Sequence, residues 1–378
     1  MANVLTNLIP DVYAALDVVS RELVGFIPAV ARDPRADRVA TGQTLRVPIT
    51  PANVSGTDIS PTMGFPTRQD QTIANQTLTI TKARSYSFSW TGEEEYAMDQ
   101  GPGFLTLQQD QIAQSIRALV NEIETDIATA VAKNASRAWG TAGTTPFASN
   151  LIDPANVRKI LDDNGAPQSD RHMIINTTSG AALRTLAQLT KVNESGDTSM
   201  LRQGIILNIH NFDIRESAQV QSLTAGTGAS YTVNGAQTVG TTVIPVTGGT
   251  GTILAGDFIT IGSDPNKYVV TGALSGGNVT IANPGLKVAA ANSAAVTVGG
   301  NHTANAAFSR NAILLATRLP IVPTTGDLAL DRETITDPRS GIALELAAYP
   351  GYRMVTYQLL LAWGVSVIKP EHAAILLG

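Results

Sequence analysis

No glycine or proline interrupts the run from Phe104 to Ala138, although the whole chain holds 33 and 19 of them. Within it Ile112, Ile116, Leu119, Ile123, Ile127 and Val131 recur at steps of three or four, one apolar stripe of a helix. Asp110 lies early and Lys133 and Arg137 lie late, which suits the helix dipole. Gly103 marks the start and Gly140 the stop. At roughly 1.5 Å of rise per residue the run makes a rod on the order of 50 Å. A single stripe is too narrow for a helix buried on every side. It predicts a spine along a thin molecule, with other elements packed on one flank.

The totals narrow what such a spine can serve. A length of 378 residues predicts two or three domains, and 43% hydrophobic residues can build sizeable cores. The net charge of −5 argues against a protein that seeks nucleic acid by bulk electrostatics, though not against one that encloses it. Only 15% of residues are charged, so much of the surface is expected to be buried against partners. With no cysteine, disulfides and thiolate chemistry are excluded. Met1 to Leu5 carries no basic segment, and the apolar run Tyr357 to Ile368 is about half a membrane span. The expectation is a protein made without a signal peptide and with no membrane contact.

Upstream of the spine, Asn7 to Val24 reads as a helix with Val12, Leu16, Val19 and Leu23 on one face. Leu45, Val47 and Ile49 alternate as in a strand that Pro48 places at an edge. A polar stretch from Thr50 to Thr72, punctuated by Pro and Gly, separates it from a second alternating run, Gln76 to Trp90. Together they predict an extended hairpin arm with a long tip. Thr91 to Glu94 reads as a capping box.

Downstream, Pro154 to Leu161 predicts a short helix, His172 to Asn176 a strand, and Thr177 to Leu189 a helix capped by Thr177 or Thr178. Between Ser217 and Ser309 the only Asp, Glu, Lys or Arg residues are Asp257, Asp264, Lys267 and Lys287. Short β-branched runs recur there: Thr241 to Val246, Phe258 to Ile261, Tyr268 to Thr271, Val279 to Ile281 and Ala295 to Val298. Regular short strands without helix signals predict a small all-β barrel or sandwich, inserted into the main domain. Asp331 to Arg339 reads as a charged loop, and Gly341 to Leu346 and Tyr352 to Ile368 have β character.

The motif search offers little to catalysis. His172, His210, His302 and His372 lack metal-ligand spacing, and no Gly-x-Ser-x-Gly elbow occurs. Gly248 to Gly251 has the composition of a phosphate loop without its Gly-Lys-Ser/Thr ending, and reads as a hairpin turn. Glu93 to Glu95 are consecutive and do not face one another on a helix. No catalytic residue, cofactor or metal site is expected, and the chain is expected not to be an enzyme.

The order of elements resembles the major capsid protein of tailed double-stranded DNA bacteriophages. Gly204-Ile205-Ile206 through Phe212-Asp213-Ile214-Arg215-Glu216-Ser217, a strand region continuing through Phe212 and Ile214, is similar to a passage of that family, although His210 and Asn211 stand where a glycine is common. Ala306 to Ile313, Trp363-Gly364-Val365 and Lys369-Pro370-Glu371 resemble its returning and closing strands. The β insertion between Ser217 and Ala306 is similar to that of the short-tailed Salmonella-type phage coat proteins. The resemblance implies an α+β tailed-phage major capsid fold of the Hong Kong 97 type, with spine, arm and inserted barrel. It divides the chain into an N-terminal helix and linker (1–43), the arm (44–90) and the spine with the first part of the central domain (91–221). The inserted barrel (222–303) and the rest of the central domain (304–378) follow.

The resemblance also implies a function. The chain would form an icosahedral head by packing against itself in hexamers and pentamers. It would enclose DNA without sequence-specific binding, and be assembled in the bacterial host cytoplasm with a scaffolding protein and a portal protein. An encapsulin-type nanocompartment around a protein cargo is the alternative. Asp58, Arg68 and Asp70 in the arm are the expected subunit contacts. Some relatives join their arms by a Lys–Asn bond; here the arm carries no lysine before Lys82, so no cross-link is expected.

Overall fold

A computed structural model describes residues 23–33, 35, 37–49, 73–99, 104–186, 189 and 208–378. The expected first helix falls almost wholly outside the described residues. Before the spine come β1 (Ala31–Arg32), β2 (Thr44–Ile49), β3 (Ala74–Thr79), β4 (Lys82–Thr91) and helix α1 (Gly92–Asp99). The spine is α2 (Phe104–Asn134), followed by β5 (Arg137–Trp139), α3 (Ile152–Asp163), β6 (Arg171–Ile175) and α4 (Thr177–Arg184). Strands β7 (Asp213–Glu216) and β8 (Ser222–Leu223) lead into β9 (Tyr231–Val233), β10 (Val243–Thr247), β11 (Phe258–Ile261), β12 (Lys267–Ser275), β13 (Asn278–Ile281) and β14 (Ala295–Val298). The chain returns through β15 (His302–Ser309), β16 (Ile313–Arg318), β17 (Asp331–Thr336), β18 (Ala343–Gly351), β19 (Met354–Val367) and β20 (Ala373–Leu377).

The spine buries the stripe its sequence announces. Ile112, Ile116, Leu119, Ile123, Ile127 and Val131 are all buried in one core with Phe308, Leu359 and Trp363. Adjacent Ala113, Val120, Ala128 and Ala132 widen the buried band. Of positions 108 to 134 only Gln114 is exposed, so the helix is covered more fully than one narrow stripe predicts. It is also shorter than predicted, ending at Asn134 with the Ala135 N–H closing the last turn on Val131 O at 3.0 Å. The chain then turns into a sheet. Ser136 donates its N–H and hydroxyl to Ala373 O at 2.9 and 2.7 Å, and β5 pairs parallel with β20. Helix propensity yields here to strand pairing on both sides of β5.

Three sheets occur among the described residues, and two of them pack on the spine. One runs β1-β16-β19-β18-β17, with β4 on β19; a second is the ribbon β2-β3. The return run expected as one strand is therefore two. β3 stays in the ribbon, and β4 joins the central sheet by pairing with β19 from Lys82 to Thr91. Tyr86, Phe88 and Trp90 of β4 pack against the main core, and Phe88 stacks on Tyr357 at 5.5 Å. Asp331 to Thr336, read as charged loop, is a strand because Ile335 is buried on β18 while its neighbours stay wet. The apolar C-terminal tail is a central strand, β20, held between β5 and β15.

The capping box is present. Glu94 Oε2 accepts from the Thr91 N–H and hydroxyl at 2.9 Å, and Thr91 Oγ1 accepts from the Glu94 N–H at 3.3 Å. Helix α4 is capped by Asn176 rather than Thr177 or Thr178. Its side chain accepts from the Ser179 N–H at 2.9 Å, and its extended backbone places it at the cap.

The β-rich segment closes on itself. Its order is β11-β14-β9-β10-β13-β12, and β12 pairs back to β11, a ring of antiparallel strands with its own apolar cluster. The five runs predicted there are all strands; β9, too short for the pattern to reveal, is the addition. Gly248 to Gly251 form a turn after β10 with no helix following, and Thr250 bridges Ala229. The ring is not detached from the rest. Lys267 and Tyr268 of β12 also pair with Ala138 and Arg137 of β5, so one continuous sheet joins barrel and central domain. Phe258 and Val269 of the barrel lie in the main core rather than in the barrel's own.

Candidate assembly interface

The expected contact residues Asp58, Arg68 and Asp70 lie outside the described residues. What is described is the β2-β3 ribbon on either side of the stretch that contains them. Leu78 and Ile80 sit in a small core with Val39, Ala316 and Ala362, and the Thr81 N–H donates to Trp363 O at 3.1 Å.

Charged residues fasten the surrounding elements to the spine, and of the first group only Lys82 was singled out in the sequence. Lys82 Nζ reaches Glu122 Oε1 at 3.0 Å and Asp126 Oδ1 at 2.8 Å. Asp126 Oδ2 also accepts from Trp363 Nε1 at 2.8 Å, and Arg84 reaches Glu122 at 3.1 Å. Burial works against the Lys82 ammonium, but the bonds and charges of Asp126 and Glu122 outweigh it and raise its pKa. Burial opposes the Glu122 charge too, yet Lys82 and Arg84 hold that carboxyl low. The first lysine of the chain is thus engaged by its own spine.

A second junction is Glu124, on the buried side of α2 and fully inaccessible. Its Oε1 accepts from the Ile27 N–H at 2.6 Å. Its Oε2 accepts from Phe26 N at 3.0 Å, Gly25 N at 3.3 Å and Ser217 Oγ at 2.9 Å. Three distant segments therefore meet on one carboxylate: the chain entering at Gly25, the middle of the spine, and the strand end before the barrel. Gly25 is required by space, since a Cβ would stand 2.8 Å from Glu216 O. Burial pushes the Glu124 carboxyl up, against the pull of Ile27, Phe26, Ser217 and Gly25.

A third junction is the barrel seam. Buried Arg137 donates to Asn266 Oδ1 at 2.8 Å in the barrel, and to Asn164 Oδ1 at 3.1 Å and Ile160 O at 3.3 Å at the end of α3. Lys287 Nζ reaches Asp163 O at 3.1 Å, and Lys267 Nζ bonds Gly140 O while lying 5.5 Å from the Phe258 ring. Tyr268, fully buried, donates to Asp264 Oδ2 at 2.6 Å and accepts from the Lys287 N–H at 2.9 Å. Burial, then the Asp264 bond, pushes its phenol up to about 12. The native state keeps a proton that the unfolded chain releases, so this contribution is whole below about pH 10 and is lost as pH rises through the folded value. Tyr268 should stay un-ionised to about pH 12 in an absorbance titration, with Tyr357 also raised by burial and barrel stability falling between about pH 10 and about 12. Uniform titration near about pH 10 contradicts this seam.

Chemistry of the catalytic kind has little footing among the described residues. None of their His, Asp and Glu side chains forms a group of three that could hold a metal ion. His172 lies 3.0 Å from Asp170 and 3.3 Å from Asp213, where it ties β6 to β7. A cleft of about 460 Å³ by Asn176, Ser179 and Thr303 is lined by His302 but by no acidic side chain. No described helix is long and apolar enough to cross a membrane. Apolar side chains do stand in solvent. Tyr352, at the turn between β18 and β19, is 93% exposed, and Tyr96, Ile321 and Leu328 are exposed as well.

Residues 105–261, from the spine through β11, match the family model described as P22 coat protein, gene protein 5. No curated protein matches in sequence. Among solved structures, the capsid of Cyanophage P-SCSP1u superposes with a TM-score of 0.52 at 13% identity, covering 96% of this chain and 90% of that one. A chain of Mycobacterium phage Che8 gives 0.47 at 14% identity, covering 99% and 91%. The virus-like particle from Pyrococcus furiosus gives 0.43 at 9%, covering 98% of each. Of these three, the cyanophage superposition is close enough to carry the fold. The stretch from the spine to the start of the barrel is thus similar to the P22 coat protein family, and the chain as a whole takes the fold of a phage capsid subunit.

Proposed function

We propose that the chain is the shell subunit of an icosahedral phage head, built from copies of itself as hexamers and pentamers around double-stranded DNA. The observation that carries this reading is the coat-protein match across the spine and into the barrel. The charge pattern supports it. A chain at −5 has no bulk attraction for DNA, and a container that releases its genome needs none. Exposed Tyr352, Tyr96, Ile321 and Leu328 are apolar surface of the sort that neighbouring copies cover. Many modest contacts repeated around a closed assembly supply stability that no single one does.

In this reading the fold is of the Hong Kong 97 type. The arm, expected over 44–90, ends in this reading at Thr81, because β4 pairs with β19; its Asp58, Arg68 and Asp70 meet a neighbour, and 222–303 form the inserted domain. The barrel acts as a brace on the central domain, as its seam and its two core side chains suggest. Scaffolding and portal proteins are the further partners, and assembly takes place in the host cytoplasm. The inserted barrel counts against the encapsulin-type alternative.

Two measurements test the reading. Nuclease-protected double-stranded DNA inside particles from infected cells is expected; a folded protein cargo in its place overturns the phage-head assignment. Denaturing electrophoresis of mature shells should give a single subunit band, because Lys82 is held by Glu122 and Asp126. A ladder of covalent multimers contradicts that.

A further inference from the structure

The ribbon β2-β3 meets the central sheet at one seat. Leu78 and Ile80 are buried there against Ala316 and Ala362, two small side chains that leave them room. Beneath them β19 passes through Gly364, where a Cβ would overlap the Thr79 carbonyl oxygen and stand 3.1 Å from the Ile80 Cα. Gly364 is absent from the positive-φ positions, so space rather than backbone freedom calls for glycine. This gives the Trp363-Gly364-Val365 stretch a physical reason. Trp363 is fixed by Asp126 below and receives the Thr81 N–H above, and Gly364 lets the ribbon cross in contact.

The two sides of the seat differ in strength. β19 is bonded to β4, β18 and β16 along its length. The ribbon root is held to the sheet by the small core and by Thr81 N to Trp363 O, while the bonds of Ile80 with Gln43 and Gly42, at 2.9 Å each, only extend the ribbon's own ladder. An added methyl at Gly364 therefore displaces the ribbon and leaves the sheet in place.

We propose that Gly364, seated with Ala316 and Ala362, sets the angle at which the β2-β3 ribbon leaves the central sheet, and through it the curvature of the shell. The curvature half rests on the shell reading above; the seat itself does not. A one-residue change in direction at the root is carried outward along the ribbon, so small shifts there become large displacements where neighbours meet.

The test compares full-length wild type, Gly364→Ala and Gly272→Ala, the last a control where a Cβ meets nothing within 4 Å. Hydrogen exchange is read on soluble subunits and shell diameter by electron microscopy. In Gly364→Ala the amides of Ile80 and Thr81 should exchange at least about tenfold faster while β18 and β19 keep their protection. Its shells should change diameter or fail to close, and Gly272→Ala should match wild type in both readouts. Unchanged exchange at Ile80 and Thr81, or shells of wild-type diameter, overturns the proposal. Should Gly364→Ala not fold, Leu78→Ala empties the same seat without touching β19 and must give the same shell defect; normal shells from it are equally fatal. If wild type makes no shells yet the exchange change appears, the seat stands and the shell reading and curvature claim fall together.

Discussion

Glu124→Ala should destabilise the subunit by about 3 kcal/mol, a large effect for a single polar side chain. The carboxylate is fully buried and accepts four hydrogen bonds. Its removal leaves the N–H groups of Gly25, Phe26 and Ile27 and the Ser217 hydroxyl without their acceptor. Each unmet buried donor costs on the order of 1 kcal/mol or more, and water entering the gap recovers part of it. Glu124→Gln is the informative companion. It keeps the volume but points an amide N–H at donors, so it too is destabilising. Because burial raises the Glu124 pKa, its contribution is whole below the unfolded value near about 4.3 and declines as pH rises through the folded one. Glu124→Gln should lack that slope. Urea titrations of subunits across this range measure both effects; wild-type stability in Glu124→Ala contradicts the junction.

Deleting residues 224–301 should abolish most soluble yield. The deletion removes Phe258 and Val269 from the main core and strips β5 of its β12 partner. It also leaves Arg137 without Asn266. The point variant Phe258→Ala isolates the first loss and should cost about 3 kcal/mol. Ser222 and Thr303 pair across the neck of the barrel, so a short linker can close the gap. Normal yield with altered shell size would assign the barrel to contacts between subunits and remove the brace reading.

How much of this was legible follows from range. The spine and the barrel strands are local patterns, a stripe from Ile112 to Val131 and β-branched runs between glycine turns, and both are where the sequence places them. The ends failed where distant partners decide. Ala135 to Trp139 continues a helical composition but is claimed by β20 and β12, more than a hundred residues away. Thr81 divides what reads as one strand because Trp363 captures its N–H. The junction residues were least visible. Glu124 sits beside Ile123 like any solvent-facing charge, and nothing local says that Gly25 to Ile27 will bring three N–H groups to it. Arg137 looked like a helix-end cation and is the bolt of the barrel seam.

Electron cryomicroscopy of purified full-length protein, over a range of concentrations, tests the central claim most directly. Closed icosahedral shells are predicted, with α2 and the central sheet repeated in hexamers and pentamers and each arm lying across a neighbour. A population of single subunits at every concentration, with Tyr352, Tyr96 and Leu328 still in water, would contradict it.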